Sequence, residues 1–127
     1  MEDYSGGQCE SMKTIIAGSR TITDKKTIFD ALDIYFHNNK PIEVVSGCAR
    51  GVDTIGAEWA IKNGVPVKKF TANWDEHGRA AGPIRNLEMG NYADQALIFW
   101  DGKSKGTKSM INIMKTLNKP FYYLWIP

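Results

Sequence analysis

What most restricts the fold of this chain is a rhythm. Five short β-rich runs alternate with stretches whose apolar residues recur at helical spacing. The runs are KTIIA (Lys13 to Ala17), IEVV (Ile42 to Val45), Val65 to Phe70, ALIFW (Ala96 to Trp100) and FYYLW (Phe121 to Trp125). Between them, Asp24 to Phe36 places Ile28, Leu32, Tyr35 and Phe36 at helical spacing, with Thr23 or Asp24 available as N-cap and Pro41 as stop. Val52 to Asn63 does the same with Val52, Ile55, Trp59 and Ala60, and Gly64 ends it. A short helix is expected over Ile84 to Tyr92 with Pro83 in its first turn, and a last one carries Met110, Ile113, Met114 and Leu117. Strands that read as continuous apolar runs, separated by helices, need cover on both faces. The expected fold is therefore α/β: a small doubly wound, mainly parallel five-stranded sheet with helices on both sides.

The segment Thr71 to Pro83 breaks the rhythm, having neither period and ending in Gly82 and Pro83, and reads as a long loop. The first eleven residues, MEDYSGGQCES, precede the patterning and read as a flexible extension, leaving residues 12–127 as one domain. They lack the basic start and apolar stretch of a signal peptide, and no later stretch reaches the ~20 apolar residues of a membrane span, so a cytoplasmic protein is expected. Cys9 and Cys48 form neither a disulfide framework nor a metal pattern and read as reduced thiols. A net charge of +2 does not advertise a polyanion partner, so nucleic acid is not indicated. Whether the apolar FYYLWIP end is a central strand or partly a homo-oligomer interface is open.

In doubly wound sheets ligands collect at the carboxyl ends of the strands, near the point where strand order reverses. Four polar segments should meet at that edge: AGSR (17–20), SGCARGVD (46–53), TANWDEHGRAAGPIRN (71–86) and DGKSKGT (101–107). SGCARGVD and DGKSKGT run directly into helices, so their backbones can approach a ligand while free amides and the helix dipole favour a phosphate or carboxylate. Taken singly, each also fits an unliganded turn, Asp53 fits a dipole-complementing acid, and Arg20 and Arg85 fit surface ion pairs. Four together at one edge argue for a ligand. Trp59 reads as core, Trp74 as a shelf for a base, His77 as a loop support or ligand contact, and Cys48 as a small packed residue rather than a nucleophile. No metal is expected, since His37 and His77 belong to no ligand pattern. GxGxxG and a Walker loop are absent, and GKSKG (102–106) matches the letters GxSxG but fits a helix-opening phosphate loop better than a nucleophile elbow.

Jointly, AGSR (17–20), SGCARGVDTIGAEWA (46–60), ANWDEHGRAAGPIRNLEM (72–89) and ALIFWDGKSKGTKSMI (96–111) resemble the SLOG superfamily. The likeness is to its YspA-like, YpsA-related branch of short Rossmann-like proteins, and it runs from about Lys13 to Trp125. The resemblance implies a pocket for a nucleotide or nucleotide derivative, such as ADP-ribose, a cyclic relative or a nucleoside monophosphate. The segment before the last helix (Asp101, Ser104, Gly106, Thr107) would take phosphate. The long loop (Trp74, His77, Gly78, Gly82) would deliver Arg85 and Asn86 over the pocket, with Gly78 and Gly82 keeping the backbone close. Gly18, Ser19 and Arg20 and then Ser46, Gly47, Ala49, Gly51 and Asp53 would complete it.

Related phosphoribohydrolases cleave a base from a ribose phosphate with an arginine and a glutamate. Arg85 could match the arginine, but Gly106-Thr107 is followed by Lys108, Ser109 and Met110, so that glutamate is absent. Glu88 could substitute, with Asp53 or Asp101 stabilising a ribosyl cation. Cys48 stands where the branch usually has glycine. The expectation is a binder that senses or sequesters a signal, without a cofactor. Phosphoribohydrolase activity is the first alternative and single-stranded nucleic-acid binding the second.

Overall fold

The computed structural model describes residues 12–126; the expected N-terminal extension, with Cys9, lies outside the described residues. Five strands, β1 (Lys13–Gly18), β2 (Glu43–Ser46), β3 (Val67–Lys69), β4 (Gln95–Trp100) and β5 (Phe121–Trp125), make one all-parallel sheet in the order β3-β2-β1-β4-β5. The helices are α1 (Lys25–Tyr35), α2 (Val52–Lys62), α3 (Trp74–His77), α4 (Ala81–Tyr92) and α5 (Lys105–Thr116), with a 3₁₀ turn at Gly78–Ala80. This is a Rossmann-like α/β fold. Its strand order reverses between β1 and β4, where the chain leaves the β3 side of the sheet and returns to build the β5 side.

The strands read as unbroken apolar runs because successive side chains enter different cores. Ile16, Val44, Leu97 and Phe99 pack beneath Ile28 and Leu32 of α1 and Val52, Ile55 and Trp59 of α2. Ile15, Ala17, Val45, Ala96 and Ile98 pack beneath Met89 of α4 and Met110, Ile111 and Met114 of α5. Polar groups fix the layers: Trp59 Nε1 donates to Asp33 Oδ1 at 2.9 Å across the α1–α2 pair. Lys119 Nζ donates to the carbonyls of Gly90 (2.8 Å) and Ala93 (2.7 Å), closing the end of α4. Asp24 caps α1, accepting from Thr27 N, and Ser104 caps α5, accepting from Thr107 N.

One expectation needs correction, and the place of β5, open from sequence, is settled as an edge. Thr71 to Pro83 is not a long loop. After Asn73 caps α3, the 3₁₀ turn leads into α4, which starts at Ala81 rather than near Ile84. Gly82 and Pro83 resemble a break, yet Pro83 is only the third residue of α4, where a backbone N–H has no intrahelical acceptor to lose. The apolar run of β5, in turn, is an edge strand that pairs with β4 alone, and residues Tyr122 to Trp125 are exposed. No helix among the described residues is long and apolar enough to cross a membrane.

Candidate functional site

The carboxyl ends of β1 and β4 open onto a cavity of about 520 Å³ at the reversal of strand order. Its wall is assembled from all of the polar segments that follow the strands. Gly18, Arg20 and Thr21 come from the end of β1, Ala49 and Asp53 from the β2–α2 junction, and Arg85, Asn86 and Met89 from α4. Asp101, Lys103 and Ser104 come from the loop after β4, and Gly106, Thr107 and Met110 from the start of α5. A second cavity, of about 340 Å³, adjoins it and shares Arg20, Ala49 and Arg85; Gly47, Cys48, Arg50 and Trp74 are among its other residues.

Hydrogen bonds set the loop before α5. The Asp101 carboxylate accepts from the backbone N–H groups of Lys103 and Ser104, both at 2.8 Å, and from the Thr21 hydroxyl at 2.8 Å. These donors hold its pKa well below the usual carboxylate range, so it stays ionised and committed to the turn. Ser19 is buried and accepts from Asp101 N at 3.1 Å, tying the ends of β1 and β4 together. Thr107 N and the Thr107 hydroxyl both reach Ser104 Oγ, and Lys108 N reaches the Ser104 carbonyl. The Lys105 and Gly106 amides, the first two of α5, have no such partner among the described residues. Of the two, Gly106 lines the cavity, and its amide remains available to an anion there. A Cβ on Gly106 would meet nothing within 4 Å.

Arg85 is held from two sides. Its Nε donates to Asn86 Oδ1 at 3.0 Å and its Nη1 to the Gly47 carbonyl, while Asn86 Nδ2 donates to the Gly106 carbonyl at 3.3 Å. Asn86 therefore links the guanidinium to the first turn of α5. Gly47 must be glycine for this seat: a Cβ there would lie 2.8 Å from Asp53 Oδ2 and 2.9 Å from Arg85 Nη1. Asp53 is buried in the first turn of α2 and accepts from Ala49 N at 3.3 Å. Burial pushes its pKa up to about 6, against the opposing pull of the Ala49 amide and the Arg85 guanidinium. The cavity thus joins a fixed guanidinium, one open helix-start amide and one buried carboxylate with a raised pKa.

Of the residues expected to face a ligand, Gly18, Arg20, Ala49, Asp53, Arg85, Asn86, Asp101, Ser104, Gly106 and Thr107 meet at the larger cavity, and Gly47 and Trp74 at the smaller. The rest lie elsewhere. Ser19 and Ser46 are buried tethers, Ser46 Oγ bonding the Asp53 carbonyl and receiving Cys48 N. Gly51 caps α2 at φ +77°, against the carbonyls of Ser19 and Arg20. His77 lines neither cavity and pairs with Glu76 at 2.9 Å. Gly78 and Gly82 line neither cavity: a Cβ on Gly78 would meet nothing within 4 Å, and one on Gly82 only the Trp74 ring at 3.6 Å. Glu88 is exposed and lines neither cavity.

Cys48 is exposed rather than packed and takes a left-handed backbone, φ +63°, which accounts for the glycine expected at this position. The sequence did not single out Thr21, which follows AGSR (17–20), nor Lys103 and Arg50, which stand inside DGKSKGT (101–107) and SGCARGVD (46–53). A turn motif does not say which of its side chains points at the cleft. Among the described residues no cluster of His, Cys, Asp and Glu is suited to a metal ion.

Three similarities bear on this geometry. The family described as YspA, cpYpsA-related SLOG matches residues 12–77. The Gene 61 protein of Mycobacterium phage D29 is 39% identical, with 76% of this chain and 82% of that protein covered. The fold is similar to DNA processing protein A from Streptococcus pneumoniae, with a TM-score of 0.72 at 14% identity over 91% of this chain. This chain spans about half of that protein, 50% of its length.

Proposed function

The chain belongs to the YspA, cpYpsA-related SLOG family, and from that premise we propose that it binds a nucleotide-derived small molecule whose phosphate docks on the first turn of α5 under Arg85. One observation carries this reading: the guanidinium of Arg85 and the open amide of Gly106 border one cavity at the β1–β4 junction, joined through Asn86. A guanidinium and helix-start amides are complementary to phosphate oxygens. ADP-ribose-like molecules, their cyclic relatives and nucleoside monophosphates fit this chemistry. The biological role we propose is sensing or sequestering such a signal, in defence against mobile elements or in its suppression, and the phage-encoded relative accords with that setting.

Thermal unfolding of the wild type against a nucleotide panel tests this. At least one compound should raise the melting temperature, and Arg85→Ala and Gly106→Asp should each abolish the rise. The first removes the clamp, and the second puts a carboxylate, in space open to it, where phosphate would lie. Wild-type affinity in either variant would show the pocket to be misassigned.

Base hydrolysis is the second reading, and Asp53 favours it. Asp53 is a buried carboxylate in the cavity with a pKa near the working pH of a proton-transfer group, whereas Glu88 stands outside. Base release from a nucleoside monophosphate that disappears in Asp53→Asn would favour this reading over simple binding.

A further inference from the structure

We infer that the ligand carries two phosphate centres, one in each of the adjoining cavities, and so is a two-phosphate nucleotide derivative, linked by a pyrophosphate or a phosphodiester, rather than a nucleoside monophosphate. This rests on the reading that the larger cavity takes a phosphate. The larger cavity has two carboxylates in its wall, Asp53 and Asp101, alongside its cations. The smaller has none: its charged side chains are Arg20, Arg50 and Arg85. Three guanidinium groups around one recess repel one another, and a bound anion relieves that repulsion. Among the described residues, neither Arg20 nor Arg50 has a side-chain ion pair within 4 Å or a side-chain hydrogen bond, although the Asp53 carboxylate next door attracts both Arg20 and Arg85. Arg85 uses its Nε and Nη1 on Asn86 and Gly47. That leaves N–H groups of its five-donor fork for a second acceptor.

The smaller recess also has an aromatic wall. Trp74 is 53% exposed, an unusual position for an indole. It lies beside the arginine cluster, where a flat ring can carry a base by stacking. Arg20 and Arg85 line both cavities, so the partition between the two is cationic. A ligand with one phosphate on α5 and a second beyond Arg85 would lay its linkage across these two side chains. A mononucleotide seated on α5 leaves the second recess empty. Its size, about 340 Å³, falls within the ~300–1,000 Å³ range of small-molecule sites.

The test uses four probes on the whole chain by isothermal titration: AMP, ADP-ribose, the 5′-phosphorylated dinucleotide pApA and a longer 5′-phosphorylated oligoadenylate. ADP-ribose and pApA distinguish pyrophosphate from phosphodiester linkage, and the oligoadenylate distinguishes a free two-phosphate ligand from a strand. At least one two-phosphate probe should bind about tenfold or more tighter than AMP, the scale of one charge-assisted contact. Arg50 lines only the smaller recess and is exposed, so Arg50→Ala should erase that advantage and leave AMP affinity unchanged within about twofold.

If AMP binds as tightly as both two-phosphate probes, or the advantage survives Arg50→Ala, the inference is overturned. AMP binding that is lost in Gly106→Asp then keeps the underlying reading. If no probe binds the wild type, both fall. An oligoadenylate that binds while pApA does not would move the ligand from a free two-phosphate molecule to a nucleic acid strand and overturn the inference as stated.

Discussion

Asp53 makes the folded chain's stability depend on pH in a direction opposite to most paired carboxylates. Its pKa rises to about 6 in the fold, from the ordinary aspartate value near ~4 in the unfolded chain. Between those values the native state keeps a proton that the unfolded state has released, so this group's contribution falls as pH rises through that window and levels off above it. The full penalty is on the order of 3 kcal/mol. Asp53→Asn keeps an acceptor for the Ala49 amide and removes the titration. Urea unfolding at pH 4.5 and 7.5 should show a larger advantage of the variant over wild type at pH 7.5, because at pH 4.5 only part of the penalty has developed. An equal difference at both would disprove the assignment. An anion on Arg85 would raise this pKa further, so ligand binding should take up protons and weaken as pH rises towards 7.5.

Cys48 is the other informative residue, because its left-handed backbone explains why glycine is expected there without any appeal to the ligand. Sequence could flag the position as unusual for the family; it could not reveal that the reason is φ, since dihedral angles are set by the junction the loop has to bridge. Arg50 shows the same limit. Its neighbours in SGCARGVD mark a turn, but which recess a turn residue lines depends on the twist of strands far away in the chain.

At the scale of elements, the strands and the paired helices were legible because their burial is periodic: Ile28 and Leu32 in α1, Val52, Ile55 and Trp59 in α2. The start of α4 was not. Ala81 to Ile84 contains glycine and proline, whose local preferences favour a turn, but proline in a helix's first turn loses no hydrogen bond, and further along α4 is held by contact with α5. That contact is tight. A Cβ on Gly90 would sit 2.7 Å from Ile113 Cγ2 and 3.1 Å from Leu117 Cδ1. Gly90→Ala gains up to about 1 kcal/mol of helix propensity. Against it stands an overpacking cost of about 1–3 kcal/mol, because a β-branched neighbour cannot swing aside freely. The variant should be less stable by about 1 kcal/mol, read as a lower urea midpoint at unchanged slope. A midpoint at or above that of wild type would mean α4 and α5 separate easily. Since Asn86 joins these same two helices at the cavity wall, ligand affinity should fall along with stability.

At the scale of the whole molecule, the family match ends at residue 77, but the fold does not divide there. β1 has β4 along its whole length on one side, from Thr14 opposite Gln95 to Gly18 opposite Phe99. Lys13 N also reaches Asp94 Oδ2 at 2.8 Å, 81 positions along the chain. A fragment of residues 12–77 would bare the β1 edge and the apolar face of Ile15, Ala17 and Val45 that α4 and α5 cover. It should show no cooperative thermal transition and no dispersed amide resonances, whereas the whole chain should show both. A fragment that melts sharply by itself would mean the β3–β2–β1 half is self-sufficient.

The strand order also sets a timetable on the ribosome. The middle of the sheet is its first strand waiting for its fourth, so a nascent chain must emerge through Trp100 before its earliest hydrophobic segment has a second neighbour. Until then Ile15 to Gly18 stands as a ready template for stray pairing. Translation speed across the stretch encoding α3, α4 and β4 therefore determines how long that template stays open, and with it how much of the protein is lost to aggregation at birth.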